Sequence, residues 1–113
     1  YEPRKEKGMD INMVCLTGVI HNIGVNPTKG LYPVVEARLT VCVGHTEGEG
    51  DLFDEFNIRA FGKKTIGMTY IKEGTPVTIQ GRLKEDIRVN ADNPNTTRSK
   101  TYVNIDNIKV NKE

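Results

Sequence analysis

Apolar and polar residues alternate most cleanly from Val34 to Val43. Val35, Ala37, Leu39, Val41 and Val43 fall on one side, and Glu36, Arg38, Thr40 and Cys42 on the other. A period of two over this length predicts a strand with one buried and one available face. Val14, Leu16 and Ile20 share one parity between Ile11 and Ile20, which predicts an earlier strand, and Gly18 falls on the same face, where a neighbour could approach closely. Phe56, Ile58 and Ala60 predict the inner face of a third strand, leaving Asn57, Arg59 and Phe61 outward. Val77, Ile79, Gly81 and Leu83 begin a fourth, continued by Ile87 and Val89. In the last stretch, Tyr102 to Val110, the apolar parity changes from Val103 and Ile105 to Ile108 and Val110. One residue of slip near Asp106-Asn107 predicts a β-bulge.

The intervening segments carry turn or helix chemistry. Asn22 to Leu31, with Gly24, Asn26-Pro27 and Gly30, predicts a loop. Gly44 to Glu55 holds three glycines and five acidic residues, and predicts a mobile acidic loop. Between Gly62 and Gly74, Ile66, Tyr70 and Ile71 recur at helical spacing and predict a helix of about two turns. Tyr70 is expected to be a core contact of that helix. Asn90 to Thr97, centred on Asn93-Pro94, predicts the tip of an extended hairpin. Tyr1 to Gly8 is mostly charged and contains Pro3, and is expected to be a flexible lead-in to one domain over residues 9–113. The order of three strands, a helix and two strands is characteristic of the five-stranded OB-fold, an all-β Greek-key barrel whose open strand face and loops bind oligonucleotides or oligosaccharides.

Composition narrows the function classes. A chain of 113 residues is long enough for one modest core. A net charge of +1 argues against a domain that holds nucleic acid mainly by bulk charge. No apolar run reaches the roughly 20 residues needed to span a bilayer. Cys15 and Cys42 lack ligand spacing and are expected to be reduced thiols in or near the core of a cytoplasmic protein. His21 and His45 read as isolated loop residues without a carboxylate partner, so no metal or cofactor is expected. Phosphate-binding glycine loops, nucleophile elbows and paired-carboxylate motifs are absent, so the chain reads as a non-enzyme.

Phe61-Gly62-Lys63, the helix end Tyr70-Ile71-Lys72-Glu73-Gly74, the strand Val77-Thr78-Ile79-Gln80-Gly81-Arg82-Leu83 and the closing Asp106-Asn107-Ile108 resemble, in order and spacing, the bacterial-type single-stranded DNA-binding proteins. That resemblance covers about two thirds of the chain. It implies an OB barrel, usually a homotetramer, that binds single-stranded DNA without strong sequence preference in replication, recombination or repair. It places Phe61 where a base-stacking aromatic belongs and Lys63 where a phosphate contact belongs, with Lys84 at a basic hairpin position and Arg88 where relatives place an aromatic. The chain departs from the pattern in having Glu55 where relatives carry a tryptophan, and Asp86 within the basic hairpin.

Non-specific binders of single strands need flat rings for stacking and cations that follow the phosphates. Phe61 and Tyr102 are the candidate rings. Asn57 shares the outward face of Phe61, and Arg38, Arg59, Lys63, Arg82, Lys84, Arg88, Arg98 and Lys100 form a candidate cationic track. The expected partners are single-stranded DNA, further copies of the chain as a dimer or tetramer, and replication or recombination proteins, in a bacterial, phage or plasmid setting. The alternative reading is an OB-fold adaptor between proteins, favoured by the missing tryptophans and the near-neutral charge.

Overall fold

The computed structural model describes residues 10–111, and the expected lead-in at Tyr1 to Gly8 lies outside them. Five strands close into one barrel: β1 (Val14–Asn26), β2 (Val34–Thr46), β3 (Gly50–Ala60), β4 (Thr75–Val89) and β5 (Thr97–Val110). Around the barrel they run β1-β2-β3-β5-β4, and β4 returns to pair with β1. All ladders are antiparallel except β3 with β5, which pairs Ile58 with Val103 and Arg59 with Asn104. The barrel with a helix between β3 and β4 is the OB-fold that the order of elements predicts.

Alternation produces the core. Ile20, Val35, Leu39, Ile58, Val77 and Ile79 point inward and are fully buried, with Val103 and Ile105 beside them. Gly18 is required where β1 bends under β2: a Cβ there would stand 2.3 Å from the Thr40 carbonyl oxygen. The bulge expected in the last strand is present. Gln80 pairs with Asn107 and Gly81 with Ile105, so Asp106 has no opposite residue. At Gly81 the two strands come so close that a Cβ would stand 2.1 Å from the Asn104 carbonyl oxygen.

Several expectations need correction. β1 starts at Val14 and runs beyond Ile20 to Asn26, so the connection to β2 is shorter than the expected loop. The strand continues because an irregularity between His21 and Gly24 absorbs the turn-forming residues, with Asn22 at φ 55° in the left-handed region that asparagine tolerates. The acidic segment is not a mobile loop. Apart from the turn at 47–49 it is paired hairpin, with Thr46 opposite Gly50 and His45 opposite Asp51.

The helix, α1 (Lys64–Met68), is a little over one turn. It buries Thr65 and Met68 against the barrel instead of Ile66, and Tyr70, beyond its end, is 82% exposed and no core contact. Cys15 and Cys42 lie on outward parities and are exposed, not near-core. His21 and His45 lie on strands and have carboxylate partners: His21 Nε2 stands 3.1 Å from Glu55 and His45 Nδ1 2.9 Å from Asp51. No helix among the described residues is long and apolar enough to cross a membrane.

Candidate nucleic-acid interface

β4 and β5 extend well beyond the barrel as a two-stranded arm. Opposite residues of an antiparallel pair share a face, so one face of the arm carries Arg82 with Asn104, Lys84 with Tyr102, Asp86 with Lys100, and Arg88 with Arg98. β3 runs parallel to β5 at the root of this face and adds Arg59 beside Asn104. The sequence therefore brings the aromatic and cationic candidates together through strand parity.

Arg59 is the centre of the arrangement. It is only 8% exposed, which rules out the free outward cation expected from parity. Its Nε donates to Asn104 Oδ1 at 2.9 Å and its Nη1 reaches Asp86 Oδ2 at 3.4 Å. The guanidinium carbon lies 4.1 Å from the Tyr102 ring centroid and 5.2 Å from that of Phe61. A buried, charge-paired guanidinium between two rings fixes both. Arg59 thus positions the rings, and its charge is already met by Asp86. Phe61 keeps 45% of its surface open, enough for a planar ligand to stack on.

Beside the stack is an open groove in two connected parts. A cavity of about 680 Å³ is lined by Arg88, Arg98, Lys100 and Tyr102, by the hairpin tip at Val89 to Asp92, and by Glu36 and Asp86. A smaller one of about 220 Å³ continues from Lys100, Tyr102 and Glu36 to Arg38, Asn57, Asn22, Gly24 and Asn26. Lys100 Nζ lies 5.3 Å from the Tyr102 ring. Arg38 is held by Glu55, its Nη2 2.9 Å from the carboxylate, and Asn57 donates to the Thr101 carbonyl at 3.4 Å.

The remaining candidates stand apart. Arg82 and Lys64 share Asp106, at 3.4 and 3.0 Å, and the hydrogen bond from Lys64 is the main reason that the Asp106 carboxyl titrates below its ordinary range. Lys63 precedes α1, and neither it nor Arg82 lines the groove. Lys84 is exposed opposite Tyr102.

Sequence reasoning missed Glu36, Asn22, Asn26 and the floor role of Asp86. Glu36 was legible as outward-facing by its parity with Arg38; only its sign kept it from a cationic track. Asn22 and Asn26 were hidden because their segment reads as a loop. Their strand is fixed by Glu73, whose carboxylate accepts from the backbone N–H groups of Ile23 and Asn22 at 2.8 and 2.7 Å. Those bonds, led by Ile23, hold the Glu73 carboxyl below its ordinary range.

No family model matches the chain, and no curated protein matches it. Solved structures do. A small single-stranded DNA-binding protein from Streptomyces coelicolor superposes with a TM-score of 0.67 at 24% identity, over 91% of this chain and 96% of that one. The Plasmodium falciparum SSB, solved in complex with single-stranded DNA, superposes with a TM-score of 0.78 at 13% identity, over 95% of this chain and all of that one. At these identities the likeness establishes the shared OB barrel.

Proposed function

We propose that this chain binds single-stranded DNA, laying the strand along the groove beside the β4–β5 arm. The observation that carries the reading is the Tyr102–Arg59–Phe61 stack, set beside a groove walled by Arg88, Arg98 and Lys100. Bases stack on the exposed Phe61 ring, and the arm's cations meet the phosphates. Both structural neighbours carry single-stranded DNA binding in their descriptions, which supports the same assignment. Of the residues expected from sequence, Phe61 takes the stacking role; Tyr102, only 8% exposed, backs it through Arg59, and Arg88, Arg98 and Lys100 take the phosphates, with Lys84 beside them. Asn57 and Arg38 border the path, and Arg59 positions the rings. Lys63 and Arg82 are peripheral contacts.

The chain works as a homo-oligomer in this proposal, in the cytoplasm, on strands exposed during replication, recombination or repair. Beyond Gly81, β4 has β5 on one side, while β1 pairs with it only up to that point. Leu83, Ile87 and Val89 stand exposed on this stretch, and Ile11 and Met13 are exposed on either side of Asn12. Asn12 already hydrogen-bonds both backbone groups of Leu83. An unpaired edge bearing apolar side chains is a surface that a second copy would cover.

Fluorescence anisotropy with labelled oligo-dT at low salt tests the function, and mass measured in solution tests the assembly. Saturable binding that weakens with salt is expected. A flat titration alongside a captured protein partner would favour the adaptor.

A further inference from the structure

Glu36 is a half-buried carboxylate in a groove that should receive a polyanion. It lines both parts of the groove, beside Tyr102 and Lys100. The cations on its flanks are engaged elsewhere: Arg59, directly opposite on β3, turns to Asp86, and Arg38, two residues along, holds Glu55. Among the described residues the Glu36 carboxylate makes no hydrogen bond or ion pair. Across the other ladder stands Gly24, which has no side chain to cover Glu36, and both line the smaller part of the groove.

A phosphate at that point is repelled, whereas a base edge with two adjacent N–H donors satisfies both carboxylate oxygens. Guanine presents such an edge, through N1–H and the N2 amino group. Adenine and cytosine place an acceptor next to their amino group, and thymine flanks its single N–H with two carbonyls. Charge-assisted pairs of this fork geometry are the strong kind, and a bidentate side-chain contact discriminates a base from its competitors by about tenfold or more.

We propose that Glu36 forms a guanine-selective subsite, accepting the N1–H and N2–H donors of one base that enters the groove beside Tyr102 and Lys100 within an otherwise sequence-tolerant path. The proposal rests on the single-strand reading above and names one base position within it.

The test is anisotropy in buffer free of divalent cations, with an oligo-dT of about 12 nucleotides, within the range one OB fold covers. It is compared with the same strand carrying one central dG, dA or dC. The dG strand should bind about tenfold tighter than the rest. Glu36→Gln removes the paired acceptor and one negative charge, so it should erase the guanine preference while oligo-dT affinity holds or rises. A merely structural Glu36 would lower affinity for all four strands together. Measurable but equal affinities of the unsubstituted chain for the four strands, or a preference that survives Glu36→Gln, would overturn the subsite and leave single-strand binding intact. Binding to none of the strands would overturn the single-strand reading and the subsite with it.

Discussion

Two hairpins project from this barrel, alike in construction and opposed in chemistry. β2–β3 and β4–β5 are both long antiparallel ladders, and each contains one irregularity, between Cys42 and Gly44 in the first and at Asp106 in the second. The β2–β3 arm carries Glu47, Glu49, Asp51, Asp54 and Glu55 with exposed Val43, Leu52 and Phe53. The β4–β5 arm carries Lys84, Arg88, Arg98 and Lys100 on the face with Tyr102. A polyanion is excluded from one and drawn to the other, so a net charge of +1 conceals a strongly directional surface. The arms also differ in how tightly they are packed at their irregularities, and that gives the largest expected effect.

Gly81→Ala should drive a Cβ into the Asn104 backbone, which cannot move without breaking the β4–β5 ladder. A loss of about 3 kcal/mol in urea or thermal unfolding is expected. Gly44→Ala, at the irregularity of the other arm, places its Cβ 4.0 Å from Leu52 Cδ1 in ordinary contact. It should stay within about 0.5 kcal/mol of the parent. Equal losses would mean that the two irregularities are not packed differently.

Function should separate the arms next. Phe61→Ala removes the exposed ring of the stack, and should weaken oligo-dT binding by about 1 to 3 kcal/mol, the usual worth of a stacked base. Phe53→Ala removes a comparably exposed aromatic, 58% against 45% for Phe61, from the acidic arm and should leave the affinity unchanged. A matched pair of anisotropy titrations decides it, and a loss with Phe53→Ala would move the DNA path onto β2–β3. Arg59→Ala is a poor probe of phosphate contact, because it strips the partner from Asp86 and Asn104 and loosens both rings.

The fate of Arg59 marks the limit of what the sequence discloses. Parity correctly placed Arg59, Phe61 and Asn57 on the face away from Ile58 and Ala60, and the strand order, the Gly18 approach and the Asp106 bulge were all legible from local pattern. Burial on that outer face was not, because it comes from β5, some 40 residues away, which lays Tyr102 and Asn104 against Arg59. The acidic hairpin misled for the same reason: Gly44 and Gly50 are loop-like locally, and only pairing across the turn makes them strand. Glu36 was readable as exposed, but its lack of a partner depends on where Arg59 and Arg38 turn.

Charge gives a subtler separation. Arg98→Ala and Lys100→Ala each remove one cation from the groove, and each should reduce the slope of log affinity against log salt by roughly 0.7, the value for one phosphate of a single strand. Glu49→Gln, at the tip of β2–β3, removes a charge of the other arm and should leave the slope unchanged. Slopes from titrations at several salt concentrations report this. An unchanged slope with both cation variants would take the phosphates off the arm.

Acid is the mildest way to loosen one side of the molecule before the other. Glu73 clamps the β1 irregularity that shapes the Asn22–Asn26 rim of the groove, and Asp106 ties Lys64 and Arg82 at the root of β4–β5. Both carboxyls are held below their ordinary ranges, by the backbone N–H of Ile23 and then Asn22 for Glu73, and chiefly by the Lys64 hydrogen bond for Asp106. A depressed carboxyl contributes stability that is fully present above its unfolded value, and that is lost as pH falls through the folded one. The melting temperature should therefore be insensitive to these two groups above about pH 5 and should decline below about pH 4. Glu73→Gln should lower the melting temperature slightly at neutral pH and make the acid decline shallower, since the titrating group is gone. Both clamps are exposed to solvent, so the effect is small, and a decline just as steep in Glu73→Gln would assign the acid sensitivity to other carboxyls.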